Sequence, residues 1–100
     1  MIHSEGQIRQ IQNTISRITG INTSDICSTS RKAEIVQARH LSMYFCRFNT
    51  RANTLTIANL HGKNNHATVL HACNSIHREI KRNQKLRAIF DSISRQLENA

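Results

Sequence analysis

One hundred residues are enough for one domain, large enough for a core yet small enough to bury only part of its surface. Fourteen Lys and Arg against six Asp and Glu leave a formal charge of +8, a balance that attracts polyanions, with nucleic acid the commonest such partner. No apolar run approaches the roughly 20 residues of a membrane span and no signal-like N-terminus is present, which excludes a membrane partner and points to the cytoplasm.

The three cysteines, Cys27, Cys46 and Cys73, are odd in number and lie within apolar periodic runs. That suits buried thiols in a reducing compartment better than a disulfide framework. Proline is absent and glycine occurs only at Gly6, Gly20 and Gly62, so the chain favours helices joined by short turns. One domain over residues 1–100 is expected, with a core of about 8–97 and a flexible start over 1–6.

From about Gln7, the positions Ile8, Ile11, Ile15 and Ile18 repeat at three and four, which predicts a first helix ending at a left-handed cap at Gly20. Ser24 and Asp25 are placed to cap a short turn that tucks Ile26 and Cys27 inward. The next helix is expected from about Arg31 to Phe48, with Ile35, Ala38, Leu41, Ser42, Phe45 and Phe48 along one face. Arg31, Arg39 and Arg47 are eight apart, and each step drifts by only about 80° of helix, so the three are expected to form a basic band. A solvated face with no partner is the plainer alternative for that band.

A polar connection over residues 49–53 leads to a two-turn helix, capped by Thr54 or a neighbour and carrying Leu55, Ile57, Ala58 and Leu60. Gly62 then permits a sharp turn, and Asn64 or Asn65 is placed to cap a longer helix whose buried stripe is Val69, Ala72, Cys73, Ile76 and Ile80. A short amphipathic run, a glycine turn and a longer amphipathic run make the outline of a helix-turn-helix, whose second helix enters the major groove. His66, Ala67 and Thr68 project from its first turn, where free N–H groups suit phosphate, and His71, Asn74 and Arg78 follow on or near its outer side. A last helix from about Gln84 to Leu97 packs Leu86, Ile89, Phe90, Ile93 and Leu97.

Other chemistry finds little support. His61, His66 and His71 are spaced by five, which is about 500° of helix and scatters the rings, so no metal site is expected. The six carboxylates are dispersed and no phosphate-binding glycine loop occurs, so neither catalysis nor a bound nucleotide or other cofactor is expected.

At Asn65–Cys73, NHATVLHAC resembles the signature of the C-terminal DNA-binding domain of the bacterial replication initiator DnaA, of the form DHTTVLHAC after a glycine turn. His66, Thr68, Val69, Leu70, His71, Ala72 and Cys73 match it. Upstream, IQNTI at Ile11–Ile15, Ile21, Asp25, Ser28, Arg31, Arg39 and Met43 also fall at family positions. The resemblance implies binding to short duplex sites, the DnaA boxes, with the signature turn in the major groove and an arginine in the minor groove. Arg31 matches that arginine, Arg39 a second DNA-contacting arginine, Arg47 a backbone-contacting position, and His66 and Thr68 the signature contacts.

The chain departs from the family pattern at several positions. Asn65 replaces the signature aspartate, Ala67 the first threonine, and Asn64 a basic residue, with Lys63 beside it. Gln37, Ala38 and Arg39 stand where the family has a basic-proline-basic element, and Ser28-Thr29-Ser30-Arg31 where it has a more basic loop.

An all-α fold follows: a compact bundle of about five to six helices with a Trp-repressor-like helix-turn-helix. The expected function is non-enzymatic, sequence-specific binding of double-stranded DNA by a nucleoid-associated protein. The expected contacts are Arg31, Lys32, Arg39, Arg47, Lys63, Asn64, Asn65, His66, Ala67, Thr68 and His71. Replication or mobile-element proteins are the further partners envisaged. The alternative is a scaffold or protein-interaction domain that keeps the fold with only non-specific DNA binding.

Overall fold

The computed structural model describes residues 4–99, and the regular structure there is entirely helical. Six helices follow in order: α1 (Ser4–Thr19), α2 (Thr23–Ile26), α3 (Ala33–Asn49), α4 (Thr54–Leu60), α5 (Ala67–Glu79) and α6 (Gln84–Glu98). The expected all-α bundle is what the chain forms. Of the expected flexible start over 1–6, residues 1–3 lie outside the described residues, and Ser4, Glu5 and Gly6 belong to α1. There Glu5 accepts from the Arg9 guanidinium at 3.1 Å, one helical turn on.

The central element is α3, which touches α1, α2, α4 and α5. Covered on several sides, it buries Met43 and Cys46 in addition to Ile35, Ala38, Leu41, Ser42 and Phe45. A single apolar stripe is therefore too narrow a description of this helix. Its last expected member is also wrong: Phe48 stays 60% exposed, with its ring 4.8 Å from that of Tyr44. Ile8, Ile11 and Ile15 of α1 join this core, and α6 lays Leu86 and Ile93 into it, with the Phe90 ring against those of Tyr44 and Phe45 of α3.

Three junctions set the geometry of the functional face. Gly20, at φ +78°, donates its N–H to the Ser16 carbonyl at 2.8 Å and closes α1 with the expected left-handed cap. Asn22, rather than Ser24 or Asp25, opens α2, receiving the Asp25 and Ile26 N–H groups on its carbonyl rather than its side chain. Asn53, the neighbour of Thr54, caps α4, its side chain accepting from Thr56 N–H at 2.8 Å.

Candidate nucleic-acid interface

The turn between α4 and α5 is locked from both ends. At the end of α4, Lys63 N–H bonds the Ala58 carbonyl at 2.9 Å and Gly62 N–H bonds that of Asn59 at 3.1 Å, the paired closure of a Schellman motif. Gly62 sits at φ +76°, and a Cβ there would collide with the Cys27 carbonyl oxygen. Glycine is thus required twice, for the left-handed backbone and for the close approach of the segment after α2.

His61 anchors the same turn. It is fully buried, with Nδ1 2.7 Å from the Ile57 carbonyl and Nε2 2.6 Å from Ser42 Oγ of α3. A carbonyl only accepts, so Nδ1 carries the proton and Nε2 accepts from the serine hydroxyl. Burial drives the His61 pKa below the ordinary histidine value, which keeps the ring neutral. Gln12 of α1 is buried as well, and its amide donates to the Leu60 carbonyl at 2.9 Å. The turn is held by α1, α2 and α3 together.

Beyond the turn, Asn65 Oδ1 accepts from Ala67 N–H at 2.9 Å, so Asn65 opens α5 although regular helix begins at Ala67. Asn64, Asn65, His66 and Ala67 are exposed, and Lys63 and Thr68 are half-buried. Along α5, Ala67, His71, Asn74 and Arg78 follow at steps of four, three and four, and all are exposed. Asn74 and Arg78 lie outside the residues expected to make contacts, yet they extend the same row. Their helical spacing from His71 is the signal that places them there.

The basic residues of α3 separate into distinct roles. Arg31 and Lys32 are exposed in the loop before the helix. Arg31 lines a cleft of about 320 Å³ whose other walls include Gln37 and His40 of α3, Ser75 and Glu79 of α5, and Leu86 of α6. It therefore lies on the same side of the molecule as α5. Within this cleft the His40 ring meets that of His71 edge-on at 5.8 Å. Burial, then the neighbouring His71 and Arg39, pushes the His40 pKa down to about 4. Arg47 is exposed near the end of α3, its guanidinium 5.4 Å from the Phe48 ring centroid and beside the Cys73 thiol.

Arg39 departs from the expected basic band. It is only 5% exposed, with Nε donating to the Ile26 carbonyl at 2.8 Å and Nη2 to the carbonyls of Ser30 at 3.1 Å and Asp25 at 3.3 Å. Ser28 Oγ lies 3.5 Å from the same nitrogen. Arg31 lies in the loop before α3, so no helical register ties it to Arg39, and Arg39 turns inward to satisfy carbonyls of the segment that carries Arg31. The band loses its centre, and Arg39 becomes the brace of the loop.

Acidic groups are scarce on this face, although Glu79 stands at the wall of the Arg31 cleft. No carboxylate occurs between Glu34 and Glu79, a stretch that includes α4, the turn and almost all of α5. The two ion pairs among the described residues, Arg9 with Glu5 and Arg87 with Asp91, both lie outside that stretch. No helix among the described residues is long and apolar enough to cross a membrane.

Comparison with known proteins agrees with this geometry. The family model described as the bacterial dnaA protein helix-turn-helix matches residues 8–76. The chromosomal replication initiator protein DnaA of Porphyromonas gingivalis is 34% identical over 95 residues, covering 95% of this chain and 20% of that protein. The DnaA of Flavobacterium psychrophilum is 31% identical over 96 residues, 96% of this chain and 20% of its own length. That of Bacteroides fragilis is 34% identical over 86 residues, 86% of this chain and 18% of its own. The chain thus spans about one fifth of the length of these relatives. With the signature turn formed and the match running through α1 to α5, the chain belongs to the bacterial DnaA helix-turn-helix family of DNA-binding domains.

Proposed function

We propose that this chain reads a short duplex DNA sequence, with the start of α5 in the major groove and Arg31 in the minor groove. One observation carries the reading. The exposed residues Asn64–Ala67 and the row continued by His71, Asn74 and Arg78 form one face with no carboxylate between Glu34 and Glu79. Lys32, Lys63 and Arg47 supply phosphate contacts around it, which fix register without carrying sequence information. In the relatives this domain belongs to a replication initiator; here the module targets DNA in replication or in the service of a mobile element.

The sequence it prefers differs from the standard DnaA box. Asn65 uses its carbonyl oxygen to cap α5, which leaves its amide N–H groups to face outward. An aspartate at that position would present a second acceptor oxygen, suited to the cytosine amino group. The asparagine presents donors, suited to guanine O6 and N7, adenine N7 or thymine O4. Ala67 exchanges a hydroxyl for a methyl that fits against a thymine methyl.

Selection from a randomised duplex pool, followed by anisotropy titration at low and moderate salt, tests the proposal. One enriched sequence whose preference survives salt is expected, and Asn65→Asp is expected to move one base preference toward cytosine by about 1–3 kcal/mol. Recovery of the standard box by the unaltered chain would overturn the altered code. Equal weak binding to every duplex, lost steeply with salt, would leave phosphate contact alone and favour the scaffold reading.

A further inference from the structure

The segment from Arg78 to Arg87 holds five cations, Arg78, Lys81, Arg82, Lys85 and Arg87, against the single carboxylate of Glu79. All five are exposed. The chain here leaves α5, turns through Lys81 and Arg82, and re-enters helix at α6, whose N-terminus is already capped by Asn83 Oδ1 accepting from Leu86 N–H at 3.0 Å. Ile80, Lys81, Arg82, Asn83, Gln84 and Arg87 enclose a concavity of about 310 Å³. Only Arg87 among these cations is paired among the described residues, at 3.5 Å from Asp91 and on the exposed surface. The fold gains nothing from gathering so much like charge at one corner, since neighbouring like charges repel.

We infer that the α5–α6 corner is a second phosphate-binding surface, which grips the backbone of the same duplex outside the base pairs read by the turn. The inference rests on the reading of α5 and Arg31 given above. From Ala67 to Glu79 the helix rises about 18 Å, more than the roughly 12 Å width of the major groove. The corner therefore lies beyond the groove that receives the start of α5. It lies toward Arg31, because the cleft lined by Arg31 is also lined by Glu79 and by Leu86, residues that flank the corner or belong to it. Major-groove turn, minor-groove arginine and cationic corner follow one another along one side of the molecule, so a single duplex continuing past Arg31 is the occupant.

The test compares two fluorescent duplexes sharing the same central sequence, one of about 12 base pairs and one of about 30, titrated over a salt series with the full chain. The variant Lys81→Gln/Arg82→Gln/Lys85→Gln removes three exposed charges and no packed side chain. On the long duplex its plot of log affinity against log salt is expected to be shallower by about 2 to 3 than that of the unaltered chain, and on the short duplex the two are expected to agree. Equal slopes for variant and unaltered chain on the long duplex would overturn the inference. So would an equal loss on both lengths, which would mean a diffuse field rather than a flanking contact. Arg31→Ala is run alongside. Full affinity for that variant on both lengths would refute the minor-groove reading, whatever the corner variant does.

Discussion

Arg31 and Arg39 are eight residues apart, and the sequence pattern treats them as equals. Their surroundings assign opposite consequences to their loss. Arg39→Ala removes a buried guanidinium and strands the carbonyls of Asp25, Ile26 and Ser30 that it serves. A destabilisation of about 3 kcal/mol is expected, read as a lower urea midpoint, because buried acceptors left unpaired bear their full desolvation cost. Arg31→Ala alters an exposed side chain, so an unchanged midpoint with weaker DNA binding is expected. An Arg39→Ala protein as stable as the unaltered chain would show that the loop does not depend on this brace. His61 follows similar logic. A histidine that resembles a candidate ligand by residue type is instead a neutral core residue, defined by Ser42 and Ile57.

Among the elements, the turn between α4 and α5 is the most constrained, and its Gly62 can be set against Gly20 at the end of α1. Gly20 has open space where a Cβ would lie, whereas Gly62 has the Cys27 carbonyl there. Gly20→Ala is expected to cost about 1 kcal/mol for the left-handed backbone alone, and Gly62→Ala at least about 3 kcal/mol because a neighbouring segment must also move. Thermal midpoints of the two variants provide the check, and equal losses would contradict the close approach. The helices themselves were legible from periodicity: α1, α5 and α6 each present one repeating apolar side, and α6 begins at the expected Gln84. The face of α3 was less legible, because a helix packed against all the others buries residues on more than one side and loses its stripe. The inward turn of Arg39 was hidden for the same reason, since its partners are backbone carbonyls with no side-chain signature. The cations of the α5–α6 corner stand close together in the sequence, but only the fold shows that the corner flanks the cleft of Arg31.

Across the whole molecule, acid is expected to weaken the fold through the half-buried His40 and the buried His61. His40 is held down to about 4, and His61 is shifted in the same direction by burial. Both bind a proton more readily in the unfolded chain, near the ordinary value of about 6.5, so unfolding takes up protons and stability falls as pH drops from about 6.5 toward 4. Above that window this contribution is fully present. Urea midpoints should decline from neutral pH to about pH 5, and His61→Gln should remove part of the decline from its own lower baseline; a flat profile would contradict neutral burial.

The contact of Gly62 with the Cys27 carbonyl also bears on how the molecule measures DNA. That carbonyl lies at the base of the segment carrying Arg31, which Arg39 braces, while Gly62 lies at the base of the reading turn. On the reading proposed above, the two probes are thereby mounted on one frame and serve as a ruler. Inserting a single base pair between the stretch read by the turn and the stretch entered by Arg31 displaces one from the other by about 3.4 Å and rotates it by about 35°. A site lengthened by one base pair should therefore bind like a site lacking one of its two halves, and equal affinity for both spacings would mean that the frame bends.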